Sequence, residues 1–453
     1  MSAQLFLGFT NSATLSHSSR YLLTASALTA LSLAISSAHA AGIEYSKQSV
    51  APFFEPGNYA ELSYAYVDPK IEGTDAAGNK IGDMMDDFDL PGAAIKIAPT
   101  ANTALAIIYE KPFGVDTEYP AGSIFNNSMG TTEARVETNG VTLLGGGKVS
   151  KNVWLYGGLE YQTLKGNITG AQPVGLTTAI KDFGLNQAQY DGLVDMQNDG
   201  TITPDESATL DMVNGLSNAP TYYTLDFENE NTLVPVIGMA YEKPEIALRA
   251  ALTYRAPAKY QVSGVENLQV ILPEGIGDGV TPGPATDEVA LPLAGKTEVK
   301  MPQSVNFDFQ TGLSEKYQLL GMVNARWVDW SNFNVAPPLA TLSTQEPLAA
   351  YKKDGYAVEV ALGKQFNPKV SGEVRLGYDH GTGAPLSLLG PYDSIKSLGL
   401  SAQYKLTEQL SVSAGGQYMW FEGGPVDTKV DGRVANIDDG TGYALGMKLG
   451  YHF

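Results

Sequence analysis

The chain has 453 residues, a formal net charge of −20 and no cysteine. The missing thiols exclude a disulfide framework and a thiolate metal site, and the negative surface excludes electrostatic binding of nucleic acid. Beyond residue 40 no apolar run reaches the ~18 residues of a transmembrane helix, whereas the abundant glycine (49) and tyrosine (24) suit a transmembrane β-barrel.

Residues 1–40 read as a secretory signal. Arg20 supplies the positive charge, Tyr21–Ser37 the apolar run, and Ala38-His39-Ala40 the small-residue cleavage site. The expected mature chain begins at Ala41. Residues 41–57 form a short arm, and 58–453 a barrel whose first strand starts near Asn58.

The barrel reading rests on alternation, because a strand in lipid turns every second side chain outward. In 246–255, Ile246, Leu248, Ala250, Leu252 and Tyr254 alternate with Ala247, Arg249, Ala251, Thr253 and Arg255. The same pattern holds in 304–313, 370–379 and 410–420. In the last strand Tyr443, Leu445, Met447, Leu449, Tyr451 and Phe453 share one face. The opposite faces carry Asp308, Arg249, Glu373 and Arg375. A dry sandwich core cannot hold such charges without partners, but a polar lumen can.

Short connections at 98–102, 150–152, 243–245, 314–316, 367–369 and 407–409 predict periplasmic turns. Longer, Gly-, Pro- and Asp-rich stretches at 68–87, 113–133, 169–229, 264–294, 333–352, 383–391 and 425–439 predict extracellular loops. The segments add up to fourteen antiparallel strands. Strand 2, near 88–97, is interrupted by Pro91. In strand 3, Pro112 and Gly114 permit a kink within 109–114 or end the strand.

The longest loop, 169–229, is predicted to carry helices over Thr177–Leu193 and Ser207–Leu216, with Ile180, Phe183, Leu185, Tyr190 and Leu193 as apolar positions. Between them, 195–206 matches the spacing of a calcium-binding EF-hand loop. Asp195, Gln197, Asp199, Thr201 (through its carbonyl), Thr203 and Glu206 fill the oxygen-ligand places, with Gly200 at the sharp turn. The alternative is an acidic loop without an ion. No other cofactor is required by any motif.

The segment Ala251-Leu252-Thr253-Tyr254-Arg255, the strand end Trp330-Ser331-Asn332-Phe333, the hairpin Tyr356–Asp379 and the final Gly442–Phe453 strand resemble the FadL family. These are outer-membrane transporters of long-chain fatty acids and other hydrophobic compounds. The resemblance implies a fourteen-stranded barrel, a monomer in contact with outer-membrane lipid and lipopolysaccharide, and passive uptake of a hydrophobic small molecule. It also implies a sideways exit at a strand-3 kink and an outer groove on the loop helices; alternatively, those helices only pack on one another. Family members have a longer N-terminal plug with an Asn-Pro-Ala motif, which is missing here. The arm Tyr45–Phe54 takes its place.

Within that resemblance, Phe53 and Phe54 are the expected contacts for an apolar tail. Lys165, Arg249 and Arg255 are the candidates for a ligand carboxylate. The alternative for the two arginines is pairing with Glu373, Asp379 or Asp308 across the lumen. A general diffusion porin for polar solutes is the rival function. An enzyme is disfavoured: of four histidines, His17 and His39 lie in the signal segment, and only His380, beside Asp379, is a candidate base.

Overall fold

The computed structural model describes residues 43–272, 288–344, 347–428 and 432–453. The signal segment 1–40 lies outside the described residues. The main sheet is antiparallel and closes on itself, first strand against last, from Tyr59 opposite His452 to Lys70 opposite Thr441. Its strands are β1 (Tyr59–Lys70), β2 (Phe88–Thr100), β3 (Thr103–Glu110, resuming at Gly114–Glu118), β4 (Glu133–Lys148) and β5 (Val153–Pro173). Then come β6 (Pro220–Lys243), β7 (Leu248–Arg255 and Ala258–Ile271), β8 (Glu288–Met301 and Ser304–Ser314) and β9 (Leu319–Val328). The circuit ends with β10 (Gly355–Gln365), β11 (Val370–Asp379), β12 (Ile395–Lys405), β13 (Leu410–Phe421) and β14 (Gly440–His452). The barrel therefore has the predicted fourteen strands, three of them broken once.

Closure leaves no strand of the circuit without a neighbour on either side, which is what a backbone in hydrocarbon requires. The alternation read from the sequence is realised side chain by side chain. Leu62, Leu233, Leu376, Leu400 and Met447 are each at least 60% exposed on the outer wall, while Ser371, Gln403 and Lys448 are 2% exposed on the inner one. No helix among the described residues is long and apolar enough to cross a membrane; the strands do so instead.

Pro91 lies inside β2 after all. From Phe88 to Gly92 the strand is paired with β1, but its pairing with β3 begins only at Ala93 opposite Tyr109. On that side β2 is locally an edge, where a proline costs no ladder bond.

β5 and β6, 21 and 24 residues long in all, run on past the membrane as a ribbon, further than the predicted loop boundaries allowed. They carry α1 (Leu176–Asp182), α2 (Gln187–Asn198) and α3 (Pro204–Ser217). Here the sequence suggested two helices, the first running through 177–193. Gly184, at φ 69°, ends α1, and Asn186 starts α2 with a capping box to Gln189. Ile180, Val213 and Leu216 form the core of this helical head, with Phe183, Leu185 and Tyr190 packed against it. The apolar positions thus hold the three helices to one another.

A second extracellular layer is a four-stranded sheet made of Gly73–Asp75, Lys80–Ile81, Gly424–Thr428 and Gly432–Ile437. Asp75 ties its first hairpin down by accepting from the N–H groups of Ala77, Asn79 and Ile124, each at 2.9 Å.

Candidate functional site

The lumen is occupied by the chain's own N-terminal arm. Ala51–Phe54 is a single 3-10 turn, and the residues before it thread between inward-facing charges. Arg326 on β9 donates to the Glu44 carboxylate, to the Lys47 carbonyl at 3.2 Å and to Gln48 Oε1 at 3.1 Å. Arg255 on β7 donates to the Gln48 carbonyl at 3.0 Å and pairs with Glu160 of β5 at 2.5 Å. Lys47 pairs with Glu359 of β10 at 2.5 Å, and Glu359 in turn with Arg375 of β11 at 2.9 Å. Ser46 donates to Glu110 of β3 at 2.5 Å. Gln48 holds a left-handed backbone, φ 52°, which a non-glycine residue keeps only when its surroundings over-determine it. Here four side chains do so: Ser46, Glu160, Arg255 and Arg326 each hydrogen-bond Gln48.

The arm also closes a hole in the wall. On β3 one extra residue lies between Glu110, opposite Gly140, and Gly114, opposite Glu137. This bulge at Pro112 throws β3 away from β2. Ile43–Ser46 takes the vacated place. The N–H groups of Tyr45 and Ser46 donate to the Pro112 carbonyl at 2.9 and 3.2 Å, and the Gly114 N–H donates to the Ile43 carbonyl at 2.8 Å. The Tyr45 ring stacks on Phe88 of β2, centroids 4.2 Å apart. Only glycine fits at 114, since a Cβ there would lie 2.1 Å from the Tyr45 ring.

At the periplasmic end, Phe53 is buried against Trp154 and Tyr156, with ring centroids 5.9 and 5.2 Å away. Phe54 packs on Tyr156, and the Arg249 guanidinium lies 4.9 Å above its ring. Phe54, Arg249 and Gln310 line both a charged cavity inside the barrel and a cavity of about 440 Å³ at the periplasmic mouth. They form the partition between the two.

The sequence-predicted residues are therefore only partly gathered. Phe53, Phe54, Arg249 and Arg255 meet around the arm. The expected pairing with Glu373, Asp379 or Asp308 is corrected for Arg255, while Arg249 shares one cavity with Asp308 without a direct ion pair. Arg255 takes Glu160, Arg249 takes an aromatic face, and Glu373 is held by Arg375 at 2.8 Å. Lys165 lies elsewhere. It points outward from β5, 58% exposed, and pairs with Glu137 of β4 at 2.8 Å. The sequence reading missed Glu44, Lys47, Gln48, Glu160 and Arg326. The signal for Glu160 was present: it sits between Leu159 and Tyr161, on the inward phase of β5.

Residues 195–206 fold as helix, turn and helix. Asp195 and Gln197 lie within α2, Asp199 caps it, and Gly200 turns the chain at φ 69°. Thr203 caps α3, and the Glu206 carboxylate accepts from the Thr203 N–H at 2.9 Å and hydroxyl at 2.7 Å. These bonds hold the Glu206 carboxyl below its ordinary range. Among the described residues no cluster of three or more His, Asp or Glu side chains is arranged to hold an ion.

The profile of the outer membrane protein transport protein family (OMPP1/FadL/TodX) matches residues 53–453. A FadL homologue of Pseudomonas aeruginosa superposes with a TM-score of 0.68 at 16% identity, covering 94% of this chain and 98% of that one. The toluene transporter TodX of P. putida superposes at 0.60 and 13% identity, covering 89% and 92%. The toluene transporter TbuX of Ralstonia pickettii does so at 0.55 and 14%, covering 94% and 98%. Among curated proteins none matches the chain.

Proposed function

The chain belongs to the OMPP1/FadL/TodX family of outer-membrane transport proteins, and on that footing we propose that it admits hydrophobic small molecules, long-chain fatty acids among them, by passive diffusion as a monomer. The observation that carries the reading is the break between β2 and β3 with the arm folded into it. A hydrophobic molecule gains nothing by entering periplasmic water. A gap in the wall lets it pass from the lumen straight into the membrane, where its apolar surface stays out of water. One segment, Ile43–Phe54, fills both the lumen and the gap, so its displacement opens both together. Glu44, Lys47 and Gln48 are its latch, and Tyr45 is the part that blocks the wall.

The relatives named as toluene transporters make an aromatic hydrocarbon the second cargo to test. The first test is binding of a fluorescent long-chain fatty acid to the purified barrel in detergent. Saturable binding that weakens in Phe53→Ala or Phe54→Ala is expected. A barrel that binds neither fatty acid nor aromatic hydrocarbon, yet conducts ions steadily in planar bilayers, is instead a porin for polar solutes.

Calcium at 195–206 is a second proposal, supported by the ligand spacing and by the left-handed Gly200 turn. Binding there requires the last turn of α2 to unwind and Glu206 to leave Thr203. Affinity is then weak, on the order of 10⁻⁴–10⁻³ M, as in extracellular modules. Calorimetric titration with Ca²⁺ is expected to give a signal in this range that Glu206→Gln removes; a flat titration rejects the site. Because the Glu206 carboxyl is depressed, the cap it forms stabilises α3 above about pH 4.5 and is lost as pH falls through its lowered value.

A further inference from the structure

Three prolines stand at one level on three neighbouring strands: Pro235 on β6, Pro257 on β7 and Pro302 on β8. Pro257 and Pro302 face each other, between the pairs Arg255 with Ser304 and Ala258 with Met301. Neither has an N–H to donate, so β7 and β8 break together and stay paired.

The join between β6 and β7 fares differently. On β7 the buried inward positions run Ala251, Thr253, Arg255 and then, past Pro257, Ala258, Tyr260 and Val262. The parity has shifted by one residue. On β6 the inward positions run Val236 and Val234, and the matching shift comes only before Leu225 and Tyr223. Between the two shifts, residues that face each other across the strands point to opposite sides of the wall, and a ladder cannot form. Pairing stops at Val236 opposite Arg255 and resumes at Phe227 opposite Gly264. Within this slot the Ala256 N–H donates to the Pro235 carbonyl at 3.0 Å, and the Ser263 N–H donates to the Glu230 carboxylate at 3.4 Å.

The slot sits at the outer boundary of the membrane. Leu233 on its rim, 60% exposed, pairs with the outward Tyr161 of β5, 46% exposed; such aromatic residues mark the interface. Its inner side is apolar. Val234, Tyr260 and Val262 belong to the same packed cluster as Phe113 and Val115 of the kinked β3, so contiguous apolar side chains connect the slot to the first break. The Tyr260 ring is fully buried, and its hydroxyl donates to Gln162 Oε1 at 2.8 Å. The slot carries charges of both signs, Glu230 on β6 and Lys259 on β7, whereas Val234, Tyr260 and Val262 on its inner side carry none and offer an ionised ligand no partner.

We propose that the slot between β6 and β7 is a second lateral opening, through which uncharged apolar small molecules dissolved in the outer leaflet enter the barrel, with Tyr260 as its inner door. Only the onward path to the β2–β3 break rests on the transport reading above. The slot itself is tested without transport. A photoreactive uncharged aromatic diazirine is dissolved in liposomes holding the full barrel, and labelled residues are mapped by mass spectrometry. Labelling at Val234, Tyr260 or Val262 is expected, beside the outward Leu233 and Ile237. Since the chain has no cysteine, Asn231→Cys with Lys259→Cys, both outward-facing, can be joined by a short thiol-specific linker. Joining is expected to reduce inner labelling severalfold while the outer residues stay labelled, and Tyr260→Ala is expected to raise it. Labelling confined to the outer wall, or inner labelling that the linker leaves unchanged, overturns the proposal. If fatty-acid binding fails while linker-sensitive labelling persists, the transport reading falls and the slot stands.

Discussion

Arg326→Ala is expected to raise the open probability of the channel in planar bilayers by a factor on the order of a hundred or more. Arg326 contributes its guanidinium to three groups of the arm at once, Glu44, Lys47 and Gln48. Glu44 is 2% exposed, so removing its cation leaves a buried carboxylate uncompensated. Such losses cost about 3–5 kcal/mol, and each ~1.4 kcal/mol is tenfold in an equilibrium. The penalty is relieved when the arm swings out and Glu44 reaches water. Because Arg326 lies on the barrel wall and its loss frees the arm alone, the strands stay closed. Arg326→Lys keeps the charge but not the fork, and is expected to fall between the two. Unaltered conductance in a correctly folded Arg326→Ala barrel would show that the arm is not held by this latch.

Deleting Pro112 acts in the opposite direction and on a different observable. The deletion removes the one extra residue of β3 and returns it to phase with β4, so that its N–H groups can again meet β2. With the wall continuous, uptake of a radiolabelled long-chain fatty acid by cells that rely on this channel is expected to fall by roughly tenfold or more, the equivalent of ~1.4 kcal/mol. Ion conductance, which does not use the wall, is expected to survive. Cells that display the shortened barrel and still take up the label at the original rate would falsify the lateral route.

The two variants touch features of very different legibility. The barrel was readable because its rule is local. Tyr443 to Phe453 declares two faces by itself, and the structure keeps every one of those assignments. Pro91 looked like an interruption because one strand's sequence cannot show that its neighbour has left; the cause lies at Pro112, some twenty residues on. The lumen was least readable. Which charges meet there depends on strand tilt and stagger, so Arg255 finds Glu160, far away in the chain, rather than any of the partners proposed for it. The arm shows the same limit. Its Lys47 and Gln48 look like an unremarkable polar stretch until Glu359, Arg255 and Arg326 are placed around them. The segment 195–206 failed to resolve for another reason. Asp199, Thr203 and Glu206 serve helix caps as readily as ion ligands, and one pattern fits both.

The β5–β6 ribbon sets how far from the membrane surface the helical head stands. At about 3.3 Å per residue and a tilt near 45°, a 24-residue strand climbs roughly 55 Å, of which the apolar band takes about 25 Å. The head is thus raised roughly 30 Å on a rigid mast. Its turns at Gly184 and Gly200 are both in the left-handed region with open space around them. A peptide epitope spliced into either turn would be carried on the outside of a living cell, clear of the barrel, which makes this hairpin a ready-made scaffold for surface display.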